Sequence, residues 1–231
     1  MSLIEFRAVA KWYHMGELRV PALRDINLRI EPGEFVAVWG PSGSGKSTLC
    51  NIAGLIDEAS GGQLLFRGQD AARCSDDQRS KLRSRHVGFV FQSFNLVPVF
   101  SALENVLLPL QLRGAVSSTM RDQAMELLST VGLQDQALRR PDELSGGQQQ
   151  RVAIIRALIT DPDLIIADEP TANLDTENAR AIIDVMHEKN RLQGTTFLFS
   201  THDERLLDRV DRRIHLRDGV VAQDERGLRP L

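Results

Sequence analysis

Two kinds of apolar spacing divide this chain. "LIEFRAVA" at 3–10 and "LRDINLRI" at 23–30 alternate apolar with polar residues, which predicts half-buried strands. "EFVAVWG" at 34–40, "VGFVF" at 87–91, "LIIAD" at 164–168 and "TTFLFS" at 195–200 are instead short, almost continuously apolar runs. Runs of that kind fit strands covered on both faces. Between them the spacing turns helical, as in "KSTLCNIAGL" at 46–55 and "ENARAIIDVMHEKNRL" at 177–192. Strands alternating with helices predict a parallel α/β core. Residues 93–160 break the alternation. "SALENV" carries a capping box from Ser101 to Glu104, and two amphipathic stretches follow with no strong strand signal between them. This reads as a helical lobe inserted between core strands, within one folding unit over 1–231.

Composition narrows the class without naming it. The chain has 231 residues, 42% hydrophobic and 26% charged, which is ordinary for a globular protein with a buried core. No apolar run approaches the ~18 residues of a membrane span. The N-terminal residues alternate rather than placing a basic stretch before an apolar one, so no signal peptide is expected and the cytoplasm is. A net charge of −3 gives no general attraction to nucleic acid. Cys50 and Cys74 match neither metal-ligand nor disulfide spacing, and Cys50 reads as a small buried hydrophobe. His14, His86, His187 and His215 show no mutual spacing and read as surface or packed residues, while "RLLDRVDRR" at 205–213 reads as a solvated face.

The chemistry starts at "GPSGSGKST", Gly40, Pro41, Ser42, Gly43, Ser44, Gly45, Lys46, Ser47 and Thr48. The stretch fits G-x-x-x-x-G-K-[ST] between a hydrophobic strand and a helix, where the glycines let successive N–H groups close around a polyphosphate. Lys46 is placed to reach the β and γ phosphates and the Ser47 hydroxyl to coordinate Mg²⁺. "LIIADEP" supplies the carboxylates: Asp168, at the end of an apolar strand, to support the metal, and Glu169 to polarise an attacking water. A second serine–glycine turn, "LSGGQ" at 144–148, opens a helix a hundred residues from the first. One phosphate cradle does not need another.

With these motifs in order, the sequence resembles the ATP-binding cassette (ABC) ATPases along nearly its whole length. The resemblance implies an α/β P-loop NTPase core with an N-terminal antiparallel β subdomain and the inserted α-helical subdomain at about 93–160. It implies that Tyr13 stacks on adenine, that Gln92 joins the metal site to the helical lobe, that Asp175 in "ANLD" follows the catalytic glutamate and that His202 in "STHD" is the switch histidine. It also answers the question of the second turn. Ser145, Gly146, Gly147 and Gln148 would close over the ATP held by a partner subunit, in a head-to-tail homodimer with two shared sites. Longer matches, "VGFVFQSFNLVPVFSALENVLLPL" and "NRLQGTTFLFSTHD", look like the ATPase subunits of lipoprotein-releasing and macrolide-export systems. That branch implies an integral membrane permease contacted through Phe94, Leu96, Val97, Val99 and Phe100, and a position at the inner face of the cell membrane. Trp39 and Ala172 depart mildly from the family pattern, away from catalytic positions. A soluble ABC ATPase acting on ribosomes or DNA is the rival reading. A P-loop kinase or GTPase leaves "LSGGQ" and "THD" unexplained.

Overall fold

The computed structural model describes residues 2–16, 18–114 and 116–227; the expected unit of 1–231 thus includes positions 1, 17, 115 and 228–231, which lie outside the described residues. The two alternating segments form the long strands β1 (Ile4–Met15) and β2 (Leu18–Ile30), paired antiparallel. Register shifts interrupt the pairing at Phe6/Val9 and Val9/Lys11, so strict alternation ends sooner in the sequence than the strand does in space. β3 (Phe35–Trp39) leads into α1 (Lys46–Ala53), followed by β4 (Gly61–Phe66), β5 (Gln69–Asp70), α2 (Asp76–His86) and β6 (Val87–Val90). Three consecutive helices then come before the next strand: α3 (Ala102–Arg113), α4 (Ser118–Thr130) and α5 (Gly146–Leu158). The chain returns through β7 (Leu164–Ala167), α6 (Thr176–Gln193), β8 (Thr196–Thr201), β9 (Arg212–Arg217) and β10 (Val220–Arg226).

The strands make two sheets, ordered β2-β1-β4-β5 and β10-β9-β3-β8-β7-β6. The first is antiparallel; in the second only β10 runs against its neighbour. The continuous apolar runs have the covered faces they predict. Val36, Val38, Ile166, Leu198 and Ile214 join α1 and the antiparallel sheet in one apolar cluster. The alternate residues Phe35, Ala37, Ile165, Phe197 and Phe199 join α3, α5 and α6 in another. The parallel sheet is therefore the middle layer of three. Its strands β3, β6, β7 and β8 end on one side, where the loops carrying Gly40–Gly45, Gln92, Asp168–Glu169 and His202 emerge together.

One sequence expectation fails. "RLLDRVDRR" is not a solvated face: Leu206 and Leu207 are buried, and Arg212 is buried between Glu34 and Asp224, each 2.7 Å from its guanidinium. Those partners lie outside the segment, one 178 residues earlier before β3 and one 12 residues on in β10, so local charge balance could not reveal them. His14 is exposed and the other three are packed or paired, as expected of surface or packed residues: His187 stacks on Phe35 at 4.8 Å, His215 on Trp39 at 4.0 Å, and His86 lies 2.7 Å from Asp163. Cys50 is fully buried as expected, and burial pushes its thiol well above the ordinary range.

Candidate active site

The phosphate loop is bent by glycines, two of which leave no room for a Cβ. Gly40 has φ +147°, and a Cβ there would stand 2.1 Å from the Leu216 carbonyl oxygen. Gly45, the residue before α1, has φ +102°, and its Cβ would meet the Ala22 oxygen at 2.5 Å. Gly43, at φ +77°, faces open space. The buried Ser44 hydroxyl has no hydrogen-bond partner among the described residues. Lys46, also buried, folds back so that Nζ donates to the carbonyls of Gly40 (2.9 Å) and Pro41 (3.0 Å). The loop thus holds its own lysine beside the cleft, 3.9 Å from a Glu169 carboxylate oxygen.

The carboxylates arrive from the ends of β7 and are fixed by β8. Ser47 Oγ donates to Asp168 Oδ1 at 3.0 Å, joining the first turn of α1 to β7. Ser200 Oγ donates to the same oxygen at 2.6 Å and accepts the backbone N–H of Glu169 at 2.8 Å. One buried hydroxyl therefore locks both carboxylate residues. Glu169 sits in the left-handed region at φ +48°, a conformation that is costly for a non-glycine residue and is held here by that Ser200 bond. Its other carboxylate oxygen lies 2.7 Å from His202 Nδ1. The resulting cleft, about 510 Å³, is walled by the phosphate loop and α1, with Gln92, Glu169, Ala172 and His202 opposite. Asn173 Nδ2 donates to the Gln92 carbonyl at 2.9 Å, tying the loop after β6 to the loop after β7.

Most of the residues expected to act together do meet. Ser42, Gly43, Gly45, Lys46, Ser47, Thr48, Gln92, Glu169 and His202 line the cleft, and Asp168 adjoins it through Ser47. Tyr13 does not line it. It is exposed on β1, its hydroxyl donating to Asp57 at 2.9 Å, with Lys11 Nζ 5.0 Å from the ring centre. Asp175 is the N-cap of α6, accepting from the N–H groups of Glu177 and Asn178 and from the Asn178 amide at 2.6 Å; these hydrogen bonds hold its carboxyl below the usual range. Ser145 caps α5, its hydroxyl accepting from Gln148 N while Gln148 Oε1 accepts from Ser145 N. None of residues 145–148 lines the cleft. Of the apolar loop residues, Val99 is exposed, Leu96 packs on the helical core, and Phe94, Val97 and Phe100 are half-buried. Ser200 and Asn173 escaped the sequence reading. The only signal for Ser200 was a polar residue directly after the apolar run Phe197–Phe199 of a parallel strand.

Comparison with known proteins places this geometry. The family model described as ABC transporter matches residues 23–172. The chain belongs to this family. It is 47% identical over 222 residues to the lipoprotein-releasing system ATP-binding protein LolD of Anaeromyxobacter dehalogenans, covering 96% of this chain and 93% of that one. It is also 47% identical over 226 residues to the macrolide export ATP-binding/permease protein MacB of Syntrophobacter fumaroxidans, covering 97% of this chain. The chain spans only 32% of that longer protein. Its fold matches the dimeric structure of a post-hydrolysis state of the ATP-binding cassette MJ0796 bound to ADP and Pi, with TM-score 0.88 and 42% identity over 97% of this chain and 100% of that one. It is an ATP-binding, ATP-hydrolysing cassette of the LolD and MacB type, and the relatives are transporter cassettes rather than ABC proteins of ribosomes or DNA.

Proposed function

We propose that the chain, as one cassette with its helical subdomain at about 93–160, drives a membrane permease by closing and reopening a head-to-tail homodimer around two ATP molecules. The observation that carries this reading is the separation of the two turns: the phosphate loop is built into a cleft with Lys46, Asp168 and Glu169, while Ser145–Gln148 stand outside it. A capped helix N-terminus outside its own cleft has N–H groups and a dipole to offer a γ-phosphate held elsewhere.

Within each site, the loop N–H groups, the orphaned Ser44 hydroxyl and Lys46 would grip the phosphates, displacing Lys46 from the Gly40 and Pro41 carbonyls. Tyr13 would stack on adenine at the mouth. Ser47, Asp168 and Gln92 offer hydroxyl, carboxylate and amide oxygens, a donor set that suits Mg²⁺ shared with phosphate oxygens. When bound, the ion neutralises charge developing on the phosphates. Glu169, poised by Ser200, accepts a proton from the attacking water, and His202 holds the glutamate's other oxygen in place. Asp175, at the N-cap of α6, is placed to meet the partner subunit.

Among the described residues no helix is long and apolar enough to cross a membrane. A position at the cytoplasmic face of the membrane then comes through the partner. Beside the Phe94–Phe100 loop runs a groove of about 740 Å³, lined by Lys81, Arg85, Arg113 and Arg156 with the apolar Phe89 and Leu112. This groove and the exposed Val99 support contact with a short cytoplasmic helix of the permease. Val99→Glu is expected to abolish copurification with the membrane subunit while ATP-driven dimerisation persists; continued assembly would move the contact elsewhere.

The direct test is Glu169→Gln, which keeps shape but removes the proton acceptor. Turnover is expected to fall by about two orders of magnitude or more, ATP binding to survive, and a dimer to accumulate with ATP on gel filtration. A protein that stays monomeric with saturating ATP rules out the shared-site reading.

A further inference from the structure

The loop that leaves Gln92 is strained and then fastened. Phe94 has φ +61° and Asn95 φ +50°, two consecutive non-glycine residues in the left-handed region. For a bulky residue such as Phe this is a genuine outlier. Two short turn bonds are formed inside the loop, Phe94 N–H to Phe91 O at 3.1 Å and Asn95 N–H to Ser93 O at 2.6 Å. The conformation turns the carbonyls of residues 94 and 95 toward α5. There the guanidinium of Arg156 takes both, Nη2 donating to Phe94 O at 2.7 Å and Nη1 to Asn95 O at 2.5 Å.

Both Nη groups of Arg156 are engaged by these two carbonyls. Among the described residues Arg156 forms no ion pair with a carboxylate, and burial lowers its pKa. A half-buried cation without a counter-charge is costly unless its hydrogen bonds are worth keeping. The planar fork suits two carbonyls side by side in a way a lysine ammonium does not. The same loop also reaches the other end of the helix, because the Phe94 ring lies 3.7 Å from where a Cβ on Gly146 would be. Phe94 is thus held through its carbonyl near the C-terminal turn of α5 and through its ring at the N-terminal turn. A third close contact backs the helix onto the strand before Gln92: a Cβ on Gly88 would meet Ala157 O at 2.5 Å.

We infer that Arg156 is a positioning residue that fastens the turn after Gln92 along α5, so that the Gln92 loop and the Ser145–Gly147 turn move as one body. This rests on the proposed role of that turn in closing the dimer. A shift of the loop on one side of the cleft would then be delivered to the helix end that meets the partner's nucleotide, about 15 Å of helix from Arg156 by the 1.5 Å rise per residue.

Hydrogen exchange on the full-length protein without nucleotide tests the fastening by itself. Arg156→Gln is expected to speed exchange of the 93–97 amides about tenfold or more while the 40–48 segment stays as protected as before. ATP affinity of the monomer is expected to remain within about twofold, since the fork touches no group of the phosphate loop. In the Glu169→Gln background the same change is expected to raise the protein concentration needed for ATP-driven dimerisation by about tenfold. Arg156→Lys, able to serve the carbonyls without the planar fork, is expected to fall between. Unchanged exchange at 93–97 overturns the fastening; faster exchange with undiminished dimerisation overturns the coupling. Should Glu169→Gln alone fail to dimerise with ATP, the shared-site reading fails, and the exchange result still decides the fastening. If Arg156→Gln loses protection throughout the chain, Arg156→Lys is measured in its place, and global loss there too would mean that Arg156 serves only the fold.

Discussion

The turns at 40–48 and 145–148 both put glycines and a serine ahead of a helix, but for different reasons. In the first, Gly40, Gly43 and Gly45 all have positive φ, because the chain must bend around what it holds. In the second, Ser145 is an ordinary extended N-cap at φ −64°, ψ 159°, and neither Gly146 nor Gly147 has positive φ. Their missing side chains serve neighbours instead. A Cβ on Gly146 would reach ordinary contact with Leu174 and Phe94, and one on Gly147 would stand 3.2 Å from Asn178 Oδ1. A loop that wraps its ligand needs backbone freedom; a helix end that meets a ligand face-on needs a bare surface. The first turn also places its Lys46 3.9 Å from Glu169 and its Ser47 hydroxyl 3.0 Å from Asp168, both carboxylates delivered by β7. The second has only its cap and its dipole. One turn is therefore most of a site, and the other, under the proposed head-to-tail dimer, would complete the partner's.

The strongest way to break that comparison is to disable each turn on a separate chain. Lys46→Ala removes the cation facing the phosphates and is expected to abolish ATP binding and turnover with the fold intact, checked by titration calorimetry and circular dichroism. Ser145→Arg is expected to bind ATP as a monomer but not to close. Mixed, the two form one competent site per heterodimer, from the Ser145→Arg chain's loop and the Lys46→Ala chain's turn. With random pairing at most about a quarter of wild-type sites return, half the dimers carrying one site of two. Full ATPase activity from Ser145→Arg alone would place both turns in one chain's chemistry.

How much of this was legible in the sequence follows the same division between local and distant causes. The phosphate loop could be read because strand, glycines and helix are contiguous, and Asp168 and Glu169 because an apolar strand delivers them. The capping box from Ser101 to Glu104 lies within four residues and is formed as the spacing implies. Ser200 could not be read, since its hydroxyl matters only once β8 lies beside β7. Arg212 was misread because Glu34 and Asp224 are brought to it by the sheet. The strain at Glu169, Phe94 and Asn95 left no trace either. Each side chain is unremarkable there, and the tertiary bonds from Ser200 and Arg156 hold the backbone where it would not go alone.

The mildest change sharpens the comparison most finely. Gly147 is buried in the first turn of α5, at a backbone angle any residue adopts, so Gly147→Ala carries no penalty of conformation and gains helix propensity of up to ~1 kcal/mol. Against that stands the 3.2 Å approach to Asn178 Oδ1. Asn178 is not free to swing away, because its amide donates to Asp175 and its backbone N–H is capped by the same carboxylate. The two effects oppose, and the net change in stability is expected within about 0.5 kcal/mol by urea denaturation. What the methyl group alters is the bare surface and the Asp175–Asn178 pair beside it. In the Glu169→Gln background, ATP-driven dimerisation is expected to weaken by a few-fold, roughly the cost of one crowded contact, while monomer ATP affinity does not move. A loss of monomer affinity instead would mean that the second turn already reaches its own chain's nucleotide.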